Sequence, residues 1–176
     1  VKDFPQKEGE CFVVMGTRTG VVKKTDLRAF RNPRAGGIIA MGVNGDDEVV
    51  GAELTDGQRQ IFIGTRNGKA IRFPGSAVRP MGRVAAGVRG IRLRKGDQVV
   101  AMAVVRPGGT LLSVTENGYG KRTPIEEYRV QSRGGVGIIN IHASDRNGPV
   151  VGVEYIDDEE NEVMIITQQG KVLRTQ

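Results

Sequence analysis

The sequence predicts an all-β fold in which successive stretches of about 50 residues form four-stranded, propeller-like blades. Three observations lead to this prediction. Glycine accounts for 26 of the 176 residues, about twice the average usage of roughly 7%, so tight turns are frequent. One pattern recurs along the chain. Helical periodicity is absent, and only the short EEY stretch at 126–128 suggests a turn of helix.

The recurring pattern is an apolar run, a threonine, two residues, a glycine, three residues and a base. It occurs four times, and successive copies lie 48, 50 and 52 residues apart. Repetition at such a period is typical of a blade architecture. The threonines are Thr17, Thr65, Thr115 and Thr167, the glycines are Gly20, Gly68, Gly118 and Gly170, and the bases are Lys24, Arg72, Arg122 and Arg174.

Each copy predicts a β-hairpin, because Gly or Asn-Gly supplies the positive φ that a tight turn needs. A basic connection containing Gly or Pro follows each of the first three hairpins, as in VRPMGRVAAGVRG. Two more strands are expected after it, around the turns NGDD, RKGD and DRNGP. The blades are therefore expected at 10–56, 57–107 and 108–160 of a single domain, with 1–9 and 161–176 as parts of neighbouring blades.

Three nearly complete blades and two partial ones cannot close a propeller ring. The chain also begins VKDF, without an initial methionine. We therefore expect the natural protein to continue at both ends.

Charge is segregated along each repeat, although the net charge is only +6. Residues 65–95 carry nine bases and no acid, whereas residues 41–56 carry five acids and no base. If the blades are arranged alike, the basic hairpins and connections align along one edge. Aromatic residues make up 5% of the chain, which disfavours stacking on single-stranded bases. The array thus indicates contacts with duplex phosphates, the alternative being ordinary solubility charge.

No catalytic constellation is recognisable, and we predict neither a catalytic residue nor a metal. His142 is the only histidine, without an evident nucleophile. GTRNGKA at 64–70 has three residues between its glycines where a phosphate loop has four, and Ala70 follows its lysine. The acidic run DDEE at 157–160 indicates a solvated turn, since Ca²⁺ and Mg²⁺ sites combine spaced ligands with backbone oxygens.

The cellular setting is expected to be the cytoplasm. The single cysteine, Cys11, excludes an internal disulfide and fits a reducing compartment. The longest apolar run, residues 99–105, is far too short to span a membrane, and no signal-peptide pattern is present. We therefore predict no membrane partner.

Several stretches resemble the C-terminal domain of DNA gyrase A, in order along almost the whole chain. The corresponding domain of topoisomerase IV is similar and is the second candidate. The stretches are GVVKKT (20–25), GKAIRF (68–73), VRPMG and GVRGIRL (within 78–93), NGYGKRTPIEEY (117–128) and DRNGPVVG (145–152).

The resemblance implies a six-bladed β-pinwheel, a disc whose blades exchange strands, with about three and a half blades present here. The basic perimeter of such a disc bends and wraps duplex DNA, which serves negative supercoiling in the whole enzyme. DNA cleavage belongs to the N-terminal part of gyrase A, and ATP hydrolysis with Mg²⁺ to gyrase B. The resemblance thus implies no catalytic activity and no cofactor in this fragment. Its implied partners are double-stranded DNA, the rest of gyrase A and the whole of gyrase B, at the nucleoid in the cytoplasm.

Phosphate contacts are expected from bases in the hairpins and connections. The resemblance also covers the family's signature heptapeptide, Gln-Arg-Arg-Gly-Gly-(Arg/Lys)-Gly, of which QSRGGVG at 131–137 is a weakened copy. It departs at Ser132 and Val136 and matches at Gln131, Arg133, Gly134, Gly135 and Gly137. The expected phosphate contacts are Lys23, Lys24, Arg28, Arg31, Arg34, Arg72, Arg79, Arg83, Arg89, Lys121, Arg122, Arg129, Arg133 and Arg174.

Two functions of other classes stay open at this point. A propeller with a basic face can serve as an interaction module for an acidic protein. An enzyme that uses a propeller channel is the other alternative, for which only His142 and scattered acids speak.

Overall fold

The computed structural model describes residues 4–157 and 162–175, and within them every regular element is a β-strand or a short 3-10 turn. The all-β prediction is confirmed. The 3-10 turns span Leu27–Phe30, Gly75–Ala77 and Ile125–Glu127, the last at the place where EEY suggested a helical turn. The strands are β1 (Phe12–Thr17), β2 (Val21–Asp26), β3 (Val49–Thr55), β4 (Gln60–Thr65), β5 (Lys69–Pro74), β6 (Val88–Arg89), β7 (Val99–Val105), β8 (Thr110–Thr115), β9 (Gly120–Pro124), β10 (Ile138–Ile139), β11 (Val150–Ile156), β12 (Val163–Ile166) and β13 (Val172–Thr175).

Each copy of the repeated hairpin forms the centre of its own antiparallel sheet. Blade 1 has the strand order β3-β1-β2-β6, and blade 2 has the equivalent order β7-β4-β5-β10. Blade 3 contains β11-β8-β9, and the fourth hairpin consists of β12 and β13. The repeated sequence pattern therefore corresponds to a repeated sheet.

The outermost strand of blades 1 and 2 comes from the repeat that follows. Val22 of β2 faces Val88 of β6, and Ala70 of β5 faces Ile138 of β10. The expectation that all four strands of a blade come from one repeat is wrong, because this two-residue strand pairs with the preceding hairpin. Within the described residues, the corresponding apolar stretch at 36–43 forms no strand. The exchange of strands that the resemblance implied is present.

The blades are arranged around their innermost strands. β3 lies against β7, and β7 lies against β11. The strand order then runs outward through the hairpin to β6 or β10. As a result, the loops that carry β6 and β10 lie on the outer edge of the sheets, away from the innermost strands.

Blade 2 is buried on both faces, as its central strand β4 shows. Ile61 and Ile63 point to one side and pack in a cluster with Val14 of blade 1. Phe62 points to the other side and packs edge-on against Tyr128, with 5.3 Å between ring centroids. Full burial of each such side chain contributes about 1.5–3 kcal/mol. These two apolar layers hold three consecutive blades together.

The four Thr-x-x-Gly segments form the predicted hairpin turns. The glycine N–H donates to the threonine carbonyl over 3.0 Å in blades 1 and 2 and over 2.9 Å in the other two hairpins. The glycine φ angles lie between 76° and 87°, a region that L side chains rarely adopt. The turn at Gly68, within GTRNGKA, is therefore a hairpin turn and not a phosphate loop.

Candidate nucleic-acid interface

Three outer loops carry most of the predicted bases. We define them as residues 27–48, 75–98 and 125–149, each joining the second strand of a hairpin to an innermost strand. Each later loop crosses the edge of the preceding blade. The N–H of Met81 donates to Lys24 O, and the N–H of Gln131 donates to Arg72 O, both over 2.8 Å. The basic segments are thereby fixed at the periphery.

Neighbouring outer loops are also hydrogen-bonded to each other. Gly42 N–H donates to Ala85 O over 3.1 Å, which joins the first loop to the second. Gly134 N–H donates to Gly90 O over 2.7 Å, and Arg92 N–H donates to Gly135 O over 2.8 Å, which joins the second to the third. The three loops form one continuous ridge, so their bases are held in fixed relative positions.

Most of the predicted phosphate contacts are available to a ligand. Arg83 and Arg133 are half-buried. Arg174 is exposed but forms an ion pair with Glu162 on the neighbouring strand, so an acid already balances its charge. Among the residues that the structure describes, the remaining exposed ones have no ion-pair partner. These are Arg28, Arg31, Arg34, Arg79, Arg89, Lys121, Arg122 and Arg129.

Lys24 and Arg72 are buried, with 4% and 7% of their surface exposed, which corrects their prediction as rim contacts. Lys24 Nζ donates to Gly75 O over 2.8 Å. The guanidinium of Arg72 donates to Ile125 O over 2.6 Å and to Tyr128 O over 3.0 Å. Burial lowers the pKa of both cations. Their charges are met by backbone carbonyl oxygens of the next blade and are not presented to solvent.

Lys23 is corrected in the same way, since none of its surface is exposed. Its ammonium group donates to Ala40 O over 2.7 Å and also to Arg83 O. Burial, followed by the nearby positive charge of Arg83, lowers the pKa of Lys23. This lysine therefore joins the first outer loop to the second from beneath.

The QSRGGVG stretch lies in the third outer loop, packed on the second. Arg133 donates through Nε to Ala77 O over 3.2 Å and through Nη1 to Arg89 O over 2.5 Å. Gly137 has a φ of 70°, and a Cβ there would meet the carbonyl oxygen of Ala70. Gln131 Nε2 is buried without a hydrogen-bond partner among the described residues. The glycines allow the loop to approach β5, while Arg133 bridges two loops and keeps part of its surface exposed.

Arg92 and Arg94 are exposed bases that the repeat pattern does not predict as contacts. The main chain of Arg92 is bonded to Gly135, so Arg92 lies beside the QSRGGVG stretch. A signal for both is present in the sequence, because they belong to the acid-free run 65–95. The repeat pattern misses them because they lie outside the aligned hairpin and connection positions.

Other candidate chemistry gains no support from the geometry. His142 is exposed, and its carbonyl accepts a hydrogen bond from Asn147 Nδ2 over 2.9 Å. Residues 158–160 of the acidic DDEE run lie outside the described residues. In the described ranges, no three His, Cys, Asp or Glu side chains are grouped as metal ligands would be. None of the described helical turns has the length and apolar character of a membrane span.

Comparison with known families agrees with this architecture. A sequence profile described as "DNA gyrase C-terminal domain, beta-propeller" matches residues 12–56, 59–106, 109–157 and 161–176. These segments take in most of the chain. The chain belongs to this family.

Members of the DNA gyrase C-terminal domain family resemble the chain in sequence and structure. The DNA gyrase A protein of Salmonella typhimurium is 47% identical over 163 residues, and that of Staphylococcus aureus is 44% identical over 176 residues. The chain spans only 18% and 20% of these two proteins, although they match 93% and 99% of it.

Two solved structures share the fold closely. The C-terminal domain of DNA topoisomerase IV has a TM-score of 0.90 at 26% identity, over 99% of this chain and 54% of that one. The DNA gyrase A C-terminal domain has a TM-score of 0.85 at 27% identity, over 99% of this chain and 57% of that one. The propeller-like architecture is thus common to both.

Proposed function

We propose that this chain binds duplex DNA through its phosphates and bends it along the outer edge of the blades. The observation that carries the proposal is the ridge of three bonded outer loops with exposed, unpaired bases in each. Such an array neutralises phosphates with little reading of base sequence. Family membership supports the same function, because the relatives are DNA gyrase proteins.

Bending is energetically accessible to this surface. Curving a 20–30 bp site by 40–90° costs on the order of 1–6 kcal/mol, which several phosphate contacts can offset. The ridge spans three blades in fixed relative positions, so a duplex that follows it changes direction from blade to blade. Continued around a disc, this contact would wrap DNA.

The wrap would serve negative supercoiling by an ATP-dependent type II topoisomerase, DNA gyrase. In that enzyme the partners of this chain would be the rest of gyrase A and the whole of gyrase B, in the cytoplasm at the nucleoid. Catalytic residues, ATP and Mg²⁺ would belong to those other parts and not to this chain. The 44–47% identity to gyrase A proteins favours this assignment.

A second candidate is the corresponding domain of topoisomerase IV, which the TM-score of 0.90 favours. Its role would be to select the geometry of substrate DNA rather than to wrap it. A protein-interaction module is the third, and it would show no affinity for DNA.

Two assays on the 176-residue chain test the proposal. Fluorescence anisotropy with a labelled duplex should show binding that weakens with salt, with a log–log slope of about −0.9 per neutralised phosphate. Relaxed circular DNA incubated with the chain and a nicking-closing topoisomerase should then acquire a shifted linking number. Absent or salt-independent binding would overturn the proposal. Binding with an unchanged linking number would remove the wrapping and favour the topoisomerase IV role.

A further inference from the structure

Lys24 and Arg72 occupy the same place in consecutive repeats and make the same connection. Each is the last residue of the repeated hairpin pattern, facing Val14 and Phe62 respectively on the neighbouring strand. Each side chain crosses to the next blade. There it donates to the carbonyl of the residue that opens the 3-10 turn, Gly75 for Lys24 and Ile125 for Arg72. Two independent copies of one contact indicate a built feature rather than a chance packing.

The main chain of the same two residues is joined to the next blade as well. Lys24 O accepts from Met81 N–H, and Arg72 O accepts from Gln131 N–H, both over 2.8 Å. Parallel bridges to the preceding residues, Pro80 and Val130, lie beside these bonds. Each base therefore holds the next blade at two points, the start of its 3-10 turn and the segment after it. Two points of attachment restrict rotation between blades, which a single bond would not.

The chemistry makes these connections costly to lose. A cation that donates to carbonyl oxygens forms hydrogen bonds about twice as strong as those between neutral groups. Removing the side chain would leave buried carbonyl oxygens without a donor. The ring of Phe12, with its centroid 5.1 Å from Lys24 Nζ, and the amide of Gln60, which accepts from Arg72 Nε, complete the two sites.

We infer that Lys24 and Arg72 are positioning residues, cationic clasps that fix the angle between consecutive blades and so set the curvature imposed on bound duplex. The part of this inference that concerns DNA rests on the proposed function. The clasps themselves are a property of the protein alone.

Arg122 provides a matched control. It is the equivalent base of blade 3, but it is exposed, and its Nε donates to Thr110 Oγ1 over 2.8 Å within its own sheet. Arg122→Met therefore removes the same charge and side chain without breaking a bond between described blades. Arg72→Met removes the clasp without removing an exposed base. The two variants separate a positioning role from phosphate binding.

The angle between blades can be measured by electron paramagnetic resonance without DNA. Spin labels at Gln58→Cys in blade 2 and Glu116→Cys in blade 3, in a Cys11→Ser background, report the distance between the two blades; Gln58 and Glu116 are both exposed. We expect Arg72→Met to broaden and shift the distance distribution, and Arg122→Met to leave it unchanged. Arg72→Lys, the residue that the first repeat uses, should keep a narrow distribution.

The same variants are then compared on DNA. Arg72→Met should keep its affinity within about twofold and its salt slope unchanged, while its linking-number shift falls. Arg122→Met should instead lose about 0.9 from the slope. Unchanged distances in Arg72→Met, or an equal loss of slope in both variants, would overturn the inference. If Arg72→Met does not fold, Arg72→Gln against Arg72→Lys decides, and equal distance distributions would overturn it.

Failure of the DNA proposal is distinguishable from failure of the clasps. If the wild-type chain does not bind duplex, the proposed function falls while the spin-label distances still test the clasps. If the wild-type chain binds and shifts the linking number but Arg72→Met behaves like wild type in both assays, the clasps fall and the proposed function stands.

Discussion

The hydroxyl of Thr65 donates a 2.8 Å hydrogen bond to the carboxylate of Asp97, although 32 residues separate them. The other carboxylate oxygen accepts from Asn67 N–H over 2.9 Å. Blade 1 has the equivalent arrangement, in which Asp47 accepts from the N–H and the hydroxyl of Thr19 over 2.9 and 2.5 Å. An aspartate thus ties each of these hairpin turns to the turn that precedes the innermost strand.

The first prediction concerns this aspartate. Asp97→Ala removes two hydrogen bonds to a charged acceptor, so it should lower the free energy of unfolding by about 1.5–3 kcal/mol. Urea denaturation monitored by circular dichroism measures the loss. Asp145→Ala is the control, because Asp145 is exposed and accepts from Asn117 through its backbone carbonyl. Equal stability of the two variants would contradict the assigned role.

The second prediction concerns the pH dependence that Asp47 produces. Burial acts to raise the pKa of Asp47, but hydrogen bonds from Thr17, Thr19 and Glu48 outweigh it and hold the pKa below 3.8. A carboxyl group whose pKa is lowered by folding stabilises the fold above its unfolded pKa, and this contribution is lost as the pH falls through the folded pKa. Asp47→Asn should therefore be less stable than wild type at neutral pH, with a difference that shrinks below 3.8. A difference independent of pH would rule out this linkage.

Glu53 should show the opposite sign. Burial raises its pKa above 4.5, helped by the charge of Glu154, although Val104 N–H donates to the carboxylate over 2.9 Å. A carboxyl group whose pKa is raised by folding contributes most below its unfolded pKa and loses this contribution as the pH rises. The stability of Glu53→Gln relative to wild type should increase as the pH rises above 4.5. Glu8→Gln, at an exposed position, should give a flat difference in the same urea series.

Two turn glycines test how tightly the blades are packed. Gly68 and Gly118 have φ angles of 76° and 80°, so alanine is strained at both, by roughly 1–2 kcal/mol. A Cβ at Gly68 would also clash with the carbonyl oxygen of Ile141, whereas none of the described atoms lies within 4 Å of one at Gly118. Gly68→Ala should therefore destabilise by about 1–3 kcal/mol more than Gly118→Ala in urea. Equal losses would show that the outer loop yields without cost.

The hairpins and the blade period were predictable because Thr-x-x-Gly is a local signal that sets its own turn. The exchanged strands were not predictable from residue patterns, since Val88–Arg89 and Ile138–Ile139 are too short to show alternation. They became an expectation only through the family resemblance. Their pairing is decided by the neighbouring blade, which local sequence does not encode.

The candidate surface was predicted as a charge pattern, and individual members failed where tertiary packing intervened. Lys24 and Arg72 share the repeated position with Arg122, yet only Arg122 is exposed. Their partners are backbone carbonyl oxygens of another blade, and a carbonyl group has no sequence signal. Arg174 was aligned correctly but is neutralised by Glu162 on the next strand.

The last prediction separates exposed bases on the ridge from bases already balanced by an acid. Arg79 and Arg129 occupy equivalent exposed places in the second and third outer loops. Arg18, by contrast, lies in a hairpin turn and pairs with Glu48 over 3.2 Å. Each phosphate contact contributes about 0.9 to the salt slope, so Arg79→Gln and Arg129→Gln should each reduce the slope by that amount, and the double variant by about 1.8.

The control for this prediction is Arg18→Gln, which should leave the salt slope unchanged because Glu48 already balances its charge. All of these exposed substitutions should change the free energy of unfolding by less than about 0.5 kcal/mol, so a changed slope would reflect DNA contact rather than lost structure. Fluorescence anisotropy titrations between 50 and 200 mM salt, about the range over which phosphate contacts dominate, give the slopes. An equal reduction in Arg18→Gln would mean that net charge alone governs binding, and the ridge would lose its claim as the DNA surface.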